Sequence, residues 1–305
     1  MSELVAATET AAPTAEPAEP VEHGAHRSVW RTLRRRPLFW ICSSVLGVLG
    51  LIALFPSFFA GWFGQPDPRA CQLTDSALRP GGEHVFGTDL QGCDVYANVI
   101  FGTRNSLSVG LLCTGVALAV SLVLGTLAGY RGGWADRLIS RLTDVFLGFP
   151  FLLGAVVVLT SVGSRSTVTV ALVLALFSWP TMARLVRSSV RSVRSADYVD
   201  AARAMGLSDA RIITRYVLPN SIGPVLAVAT ISVGAVIVSE STLTFLGLGL
   251  RAPSISWGLQ LSSAQAYFQT APHMLIFPSI FLTVTVLAMI TLGDILRDTL
   301  DPKGR

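Results

Sequence analysis

Six stretches of this chain carry no charged side chain over a length that approaches or exceeds the roughly 20 apolar residues a helix needs to cross a hydrocarbon core about 30 Å thick. They lie between Arg36 and Asp67, Arg104 and Arg131, Asp144 and Arg165, Arg165 and Arg184, Arg215 and Glu240, and Arg251 and Asp294. The last is broken by the polar run SISWGLQLSSAQAYFQTAPH, which leaves 274–293 as its spanning part. The windows predict helices near 37–60, 105–130, 144–163, 166–187, 222–246 and 273–296, hence an all-α integral membrane protein with six transmembrane helices. Composition agrees: 14% of the 305 residues are charged, where a soluble domain carries about 25%.

Cytoplasmic segments hold an excess of Lys and Arg. Placing the N-terminus inside puts 18 of the 23 basic residues on the inner side and leaves Arg69, Arg79, Arg104, Arg165 and Arg251 outside. Both termini are therefore expected in the cytoplasm. The net charge of +4 then reports topology and contact with anionic lipid, not nucleic-acid binding. Residues 1–28, rich in Ala, Glu, Thr and Pro, read as a disordered cytoplasmic tail. Residues 29–104 read as the first membrane helix plus an external loop, 105–300 as a five-helix core, and 301–305 as a second short tail. The basic cluster RSVWRTLRRR is followed by an apolar run too long for a signal peptide and without a small-residue cleavage site, so that run is expected to stay as a membrane helix.

Cys42 and Cys113 fall inside apolar windows and read as small buried hydrophobes. Cys71 and Cys93 share the external loop, on the oxidising side, where they can stand as two thiols or as a disulfide. A bridge would close a loop of about 23 residues and restrain it by roughly 3 kcal/mol.

The residues offer no catalytic constellation. No segment matches G-x-x-x-x-G-K-[ST], and the sole lysine is Lys303, so the chain has no phosphate-binding loop of that type. His23, His26, His84 and His273 are too scattered for a ligand cluster, so no metal site is expected. One ionisable group stands deep in an apolar window, Glu240 in AVIVSESTLTFLGLGL, and an acid at that depth is a candidate functional residue. Ser239, Ser241 and Thr242 flank it and can hydrogen-bond it. The expectation is a structural or gate-lining role for Glu240 rather than a proton relay.

Between the fourth and fifth windows lies DYVDAARAMGLSDARIITRYVLPN, residues 197–220, in the longest inner loop. It reads as two short helices. Asp197 is placed to cap the first, Gly206 to end it in the left-handed conformation, and Ser208 or Asp209 to cap the second until Pro219 stops it. Val199, Ala202 and Met205 recur at helical spacing, and the small Ala201 and Ala202 let a partner approach the backbone closely. A solvated connector or a helix on lipid headgroups would need neither.

Asp200-Ala201-Ala202, then Gly206, then Tyr216-Val217-Leu218-Pro219 resembles the cytoplasmic motif of the membrane subunits of ABC importers, with Asp for its usual Glu and Tyr for its usual Ile. EHVFGTDLQGCDVYANVIFGTRNSLSVG, RLTDVFLGFPFLL, SWPTMARLVRSSV and SESTLTFLGLGLRAPSISWG are similar to segments of the dipeptide, oligopeptide and nickel class of these permeases, C-type second subunit, over roughly residues 30–300. Cys93 stands where that family usually has arginine.

The resemblance implies a type I importer permease fold with a coupling helix near 197–206. It also implies a non-catalytic subunit in the bacterial inner membrane. The implied partners are a second permease, two cytoplasmic ATPases or one fused ATPase that bind ATP and Mg, an extracytoplasmic binding protein, and lipid. By the same resemblance Asp197, Tyr198, Asp200, Ala201, Ala202, Arg203, Gly206, Leu207 and Pro219 would meet the ATPase. The residues themselves make Glu240, Phe245, Gly247 and Gly249 candidates for the pathway or its gate, with close helix approach as the alternative for the two glycines; Gly87, Thr88, Asp89 and Trp257 are candidates for the surface that meets the binding protein, with a place in the interfacial aromatic belt as the alternative for Trp257. Peptide is the first expectation for the cargo, with nickel or another small solute as the alternative. A stand-alone secondary transporter would need ionisable residues in several spans and two similar halves, and a plain anchor would not need six spans.

Overall fold

The computed structural model describes residues 29–300, and among them no strand forms. The tails expected at 1–28 and 301–305 lie outside the described residues. Five helices are long and apolar enough to cross a membrane, and a sixth crossing arises if one bent pair counts as a single span.

Prolines decide where the windows bend. A short α1 (Val29–Arg34) precedes α2 (Pro37–Leu54), and Pro56 opens α3 (Pro56–Phe63). The expected single helix over 37–60 is thus two, because Phe55, driven out of the helical region ahead of Pro56, adopts φ −125° and ψ 55°. The third window is likewise corrected. Instead of one helix over 144–163 there are α5 (Gly133–Gly148) and α6 (Phe151–Val162), bent by 85° at Phe149 and Pro150. With 12 residues, α6 spans about 18 Å and cannot cross the core alone.

The second span begins ten residues earlier than expected. Asp94 accepts a hydrogen bond from Ala97 N at 3.1 Å and starts α4 (Val95–Arg131), so the division at 104/105 falls inside a helix. Arg104 is exposed and does not interrupt it. The remaining long elements are α7 (Thr167–Arg194), capped by Ser166, then α8 (Asp197–Ala204), α9 (Asp209–Ile212), α10 (Leu218–Phe245), α11 (Trp257–Ala264) and α12 (His273–Leu300). Pro219 does not stop the helix before the fifth span. It is the second residue of α10, which directly follows a π-helical stretch that accommodates its ring and missing N–H. The backbone widens to π-helical geometry over Ile213–Val217, and Asp209–Phe245 runs as one 37-residue helix.

In their most apolar windows α4, α7 and α10 bury 39%, 50% and 44% of residues, against 17% and 22% for α2 and α12. The first three therefore form the inner layer, and α2 and α12 present apolar side chains outward. The closest pairing is α4 with α7. A Cβ on Gly125 would stand 2.7 Å from Val186 Cβ, and one on Gly129 2.7 Å from the Arg187 carbonyl, so the four-residue glycine spacing sets the approach of the two backbones. Replacing Gly129 by Leu is expected to cost about 3 kcal/mol or more by overpacking. It should deplete the chain from membranes, whereas Gly115→Leu, on the same helix with nothing within 4 Å, should leave its level unchanged. Equal levels of the two variants in immunoblots of membranes would refute this packing.

Candidate functional site

Four short segments at one end of the bundle build a rigid platform. Ala196, not Asp197, holds the cap position of α8 and no side chain caps it; Asp197 is its first helical residue, with Asp200 in the same turn. The C-terminus closes as a Schellman turn, with Gly206 N donating to Arg203 O at 2.9 Å, Leu207 N donating to Ala202 O at 3.2 Å, and Gly206 at φ 77°. Ser208 precedes α9 but its side chain makes no cap bond. One face of α8 is spent inward: Val199 and Ala202 are completely buried among Tyr130, Val186, Val190, Ile212, Val217 and Val225. The other face is open, with Asp197, Tyr198, Asp200, Ala201, Arg203 and Gly206 exposed and Leu207 half-buried. Met205, expected on the buried spacing, is 71% exposed. Pro219 is exposed on the same end.

Tyr130 locks this arrangement. Its hydroxyl donates to Asp209 Oδ1 at 2.8 Å, and Arg194 and Arg203 stand 5.8 and 5.7 Å from its ring. Arg203 also pairs with Asp200 at 2.8 Å. Sequence reasoning missed Tyr130. Its one local signal is its place just before Arg131-Gly132-Gly133, where a spanning helix ends. Two residues separate α7 from α8 and four separate α8 from the Asp209–Phe245 helix, so α8 is tethered closely to both.

Near the far end of that helix, some 47 Å along at 1.5 Å per residue, Glu240 is completely buried. It accepts from Thr244 at 2.8 Å, Ser256 at 3.2 Å and Ser241 at 3.3 Å. Of the hydroxyls expected to serve it only Ser241 does; Ser239 and Thr242 bond carbonyls one turn back. The two others also accept backbone N–H groups, Thr244 from Leu250 at 3.0 Å and Ser256 from Leu259 at 3.2 Å. Glu240 is thus the final acceptor for the turn after α10 and the cap of α11. Phe245 is 37% exposed, Gly247 is exposed at φ 75°, and Gly249 is buried against Thr244. A cleft of about 340 Å³ between α4, α7, α10 and the α5–α6 bend is lined by Thr114, Ser178, Ser232 and Ser239, with Phe149 and Phe177. Such hydroxyls among aromatic rings can form one wall of a solute path.

Of the four residues expected to face a binding protein, three are corrected, because Gly87, Thr88 and Trp257 are buried. Trp257 is fully buried, its Nε1 donating to Val99 O at 3.1 Å. Thr88 is fully buried, accepting from Leu78 N at 2.8 Å and donating to Asp75 O, and Gly87 is buried at φ 76°. Asp89 is half-buried and turned inward, accepting from Gln91 N and Cys93 N at 2.8 Å each. Burial pushes its carboxyl above the ordinary range, against those backbone donors. Gly87 and Thr88 build the inside of the 64–94 loop, Trp257 packs α11 against α4, and Asp89 keeps part of its surface open while bonding the loop's own backbone. Cys71 and Cys93 are joined by a disulfide in the same loop, and the loop is seated on the rest of the chain through His273 Nε2 with Thr88 O at 2.9 Å and Arg69 with Pro253 O at 2.9 Å. Among the described residues no three His, Cys, Asp or Glu side chains are placed to hold a metal ion.

The chain is 37% identical over 278 residues to the glutathione transport system permease protein GsiD of Pectobacterium atrosepticum, covering 91% of this chain and 92% of that one. It is 36% identical to the dipeptide transport system permease protein DppC of Alkalihalophilus pseudofirmus, covering 91% and 90%. Among solved structures, the inward-facing MetNI methionine ABC transporter superposes with a TM-score of 0.53 at 19% identity, covering 66% of this chain and 95% of that one, which is a likeness of fold. Residues 121–305 match the model of the binding-protein-dependent transport system inner membrane component, and with relatives this similar along nearly its whole length the chain belongs to that family of ABC importer permeases.

Proposed function

We propose that this subunit carries short peptides, of the size of a dipeptide or glutathione, and that α8 is its point of contact with a separate ATPase that binds ATP and Mg. Support for the cargo comes from the relatives, which are named as glutathione and dipeptide transport permeases. The observation that carries the contact is the split face of α8: Val199 and Ala202 fix it to the bundle while Ala201 and its neighbours stay open. A helix held this way is a lever, since a load on its open face passes into α7 and the Asp209–Phe245 helix. The α8 end is assigned to the cytoplasm, with both termini, because arginines concentrate there. The hydroxyl-lined cleft supplies one wall of the path and a second permease the other, and an external binding protein delivers the solute at the end that carries the 64–94 loop.

Affinity purification of the full chain from mildly solubilised membranes should bring down one other permease and an ATPase, and deletion of its gene should abolish growth on defined dipeptides while leaving nickel uptake unchanged. Purification of the chain without an ATPase, or intact dipeptide growth after deletion, would overturn the reading.

A further inference from the structure

Beside the α8 platform lies a feature that coupling does not use. A cavity of about 310 Å³ opens between the end of α4, the start of α5 and the last turns of α7, lined by Arg131, Arg187, Arg191, Arg194 and one carboxylate, Asp136. That carboxylate is already engaged: Arg187 donates to it through Nε and, at 2.7 Å, through Nη2. Arg194 leans toward the Tyr130 ring, which leaves its charge in place. Arg131 and Arg191 form no hydrogen bond or ion pair within the described residues.

Backbone adds to the field. Gly132 and Gly133 line the same cavity, and α5, 16 residues long, begins there with no capping side chain; Asp136 is the one acid in its first turn, and Arg187 already engages it. A Cβ on Gly132 would stand 3.7 Å from Arg194 Nη1, which sets the guanidinium against that helix end. Four guanidiniums around one committed carboxylate repel one another, and a bound anion removes the repulsion. Arginine forks match phosphate oxygens in pairs.

Depth identifies the source. Next to the cavity Trp134 is 70% exposed and Leu138 53% exposed, on a helix that also carries Asp136, Arg137, Arg141 and Asp144. An amphipathic helix with an exposed tryptophan settles at headgroup level. We propose that this cavity is a phosphate-ester site filled by the headgroup of an anionic phospholipid, which pins the corner between α4 and α5 to the end of α7.

The test is native mass spectrometry of the full chain titrated with phosphatidylglycerol, phosphatidylcholine and inorganic phosphate. Arg131→Gln/Arg191→Gln should lose about thirtyfold in affinity for phosphatidylglycerol and nothing for phosphatidylcholine. The charge-matched pair Arg137→Gln/Arg141→Gln, exposed and off the cavity, should lose no more than about threefold, since solvated charge contacts are worth a few tenths of a kcal/mol each. Equal losses in the two pairs, or no loss in the first, overturn the site. Displacement of the lipid by equimolar inorganic phosphate overturns its assignment to lipid. Should the first pair fail to fold, Arg191→Gln alone carries the test, with a loss of about fivefold expected and an unchanged affinity counting against the site.

Discussion

Ala201→Arg is expected to abolish peptide uptake while leaving the amount of chain in the membrane unchanged. The side chain at 201 points away from the bundle and touches none of the groups that fix α8, so the substitution has no cost in the isolated subunit. Its cost falls on the partner. A large charged group at the centre of a small desolvated contact costs well above 1.4 kcal/mol, so uptake should fall by at least about tenfold and ATP hydrolysis should lose its dependence on the binding protein. Ala202→Arg is the contrast, since Ala202 has no exposed surface and packs against Tyr130 and Val190, so that variant should vanish from membranes instead. Gly206→Asp belongs with Ala201→Arg: a Cβ there meets nothing within 4 Å, and Asp tolerates the positive φ better than most residues. Normal uptake by membranes holding normal amounts of the Ala201→Arg chain would remove α8 from the coupling path.

The reason such a small surface can act at a distance is the continuity of the helix behind it. Had Pro219 ended the inner segment, α8 would hang on a flexible joint and load applied to it would be lost in the loop. The π-helical widening over Ile213–Val217 lets the chain pass the proline without a break, so Asp209, bonded to Tyr130, and Glu240 belong to one rod. A ligand shifts a conformational equilibrium only through its differential affinity for the two states. On the proposed reading, a rod that stands behind the α8 contact at one end and organises the turn before α11 at the other gives both ends a stake in the same equilibrium.

The spans were legible because a hydrocarbon core imposes a length of apolar chain that composition alone reveals, and Gly206 was legible because only a turn of positive φ uses glycine there so well. The bends were not. Hydropathy is blind to direction, so Pro56 and Pro150 inside apolar windows looked like continuations and proved to be corners. Asp94 was hidden for another reason: a single cap moved the start of α4 to Val95, ahead of the polar residues that seemed to belong to the loop. Contacts across long sequence separations left no local trace. Ser256 reaches Glu240 over 16 residues, Trp257 bonds Val99 over 158, and Tyr130 meets Asp209 over 79. Trp257 shows the cost of reading exposure from residue type, since an aromatic beside a predicted loop turned out to be among the largest fully buried side chains.

Glu240→Leu is expected to destabilise the chain by about 3 kcal/mol, because it removes the buried acceptor that three hydroxyls share. The size follows from their double duty. Thr244 and Ser256 donate to Glu240 and, with their protons so directed, offer lone pairs to Leu250 N and Leu259 N. Without the carboxylate the hydroxyl protons lose their direction, and both the turn after α10 and the cap of α11 weaken together. Glu240→Gln retains an acceptor at Oε1 for Thr244 and Ser256 and places its amide toward Ser241, whose hydroxyl can turn to accept. Its loss should stay within about 1 kcal/mol. In thermal melts the Leu variant should fall about 3 °C below the Gln variant. Uptake separates this from proton chemistry: a relay needs a group that gains and loses a proton, so Gln would silence it, whereas an organising acceptor lets Gln support uptake near the parental rate. A Gln variant that melts like the parent yet transports nothing would move Glu240 from scaffold to pathway chemistry.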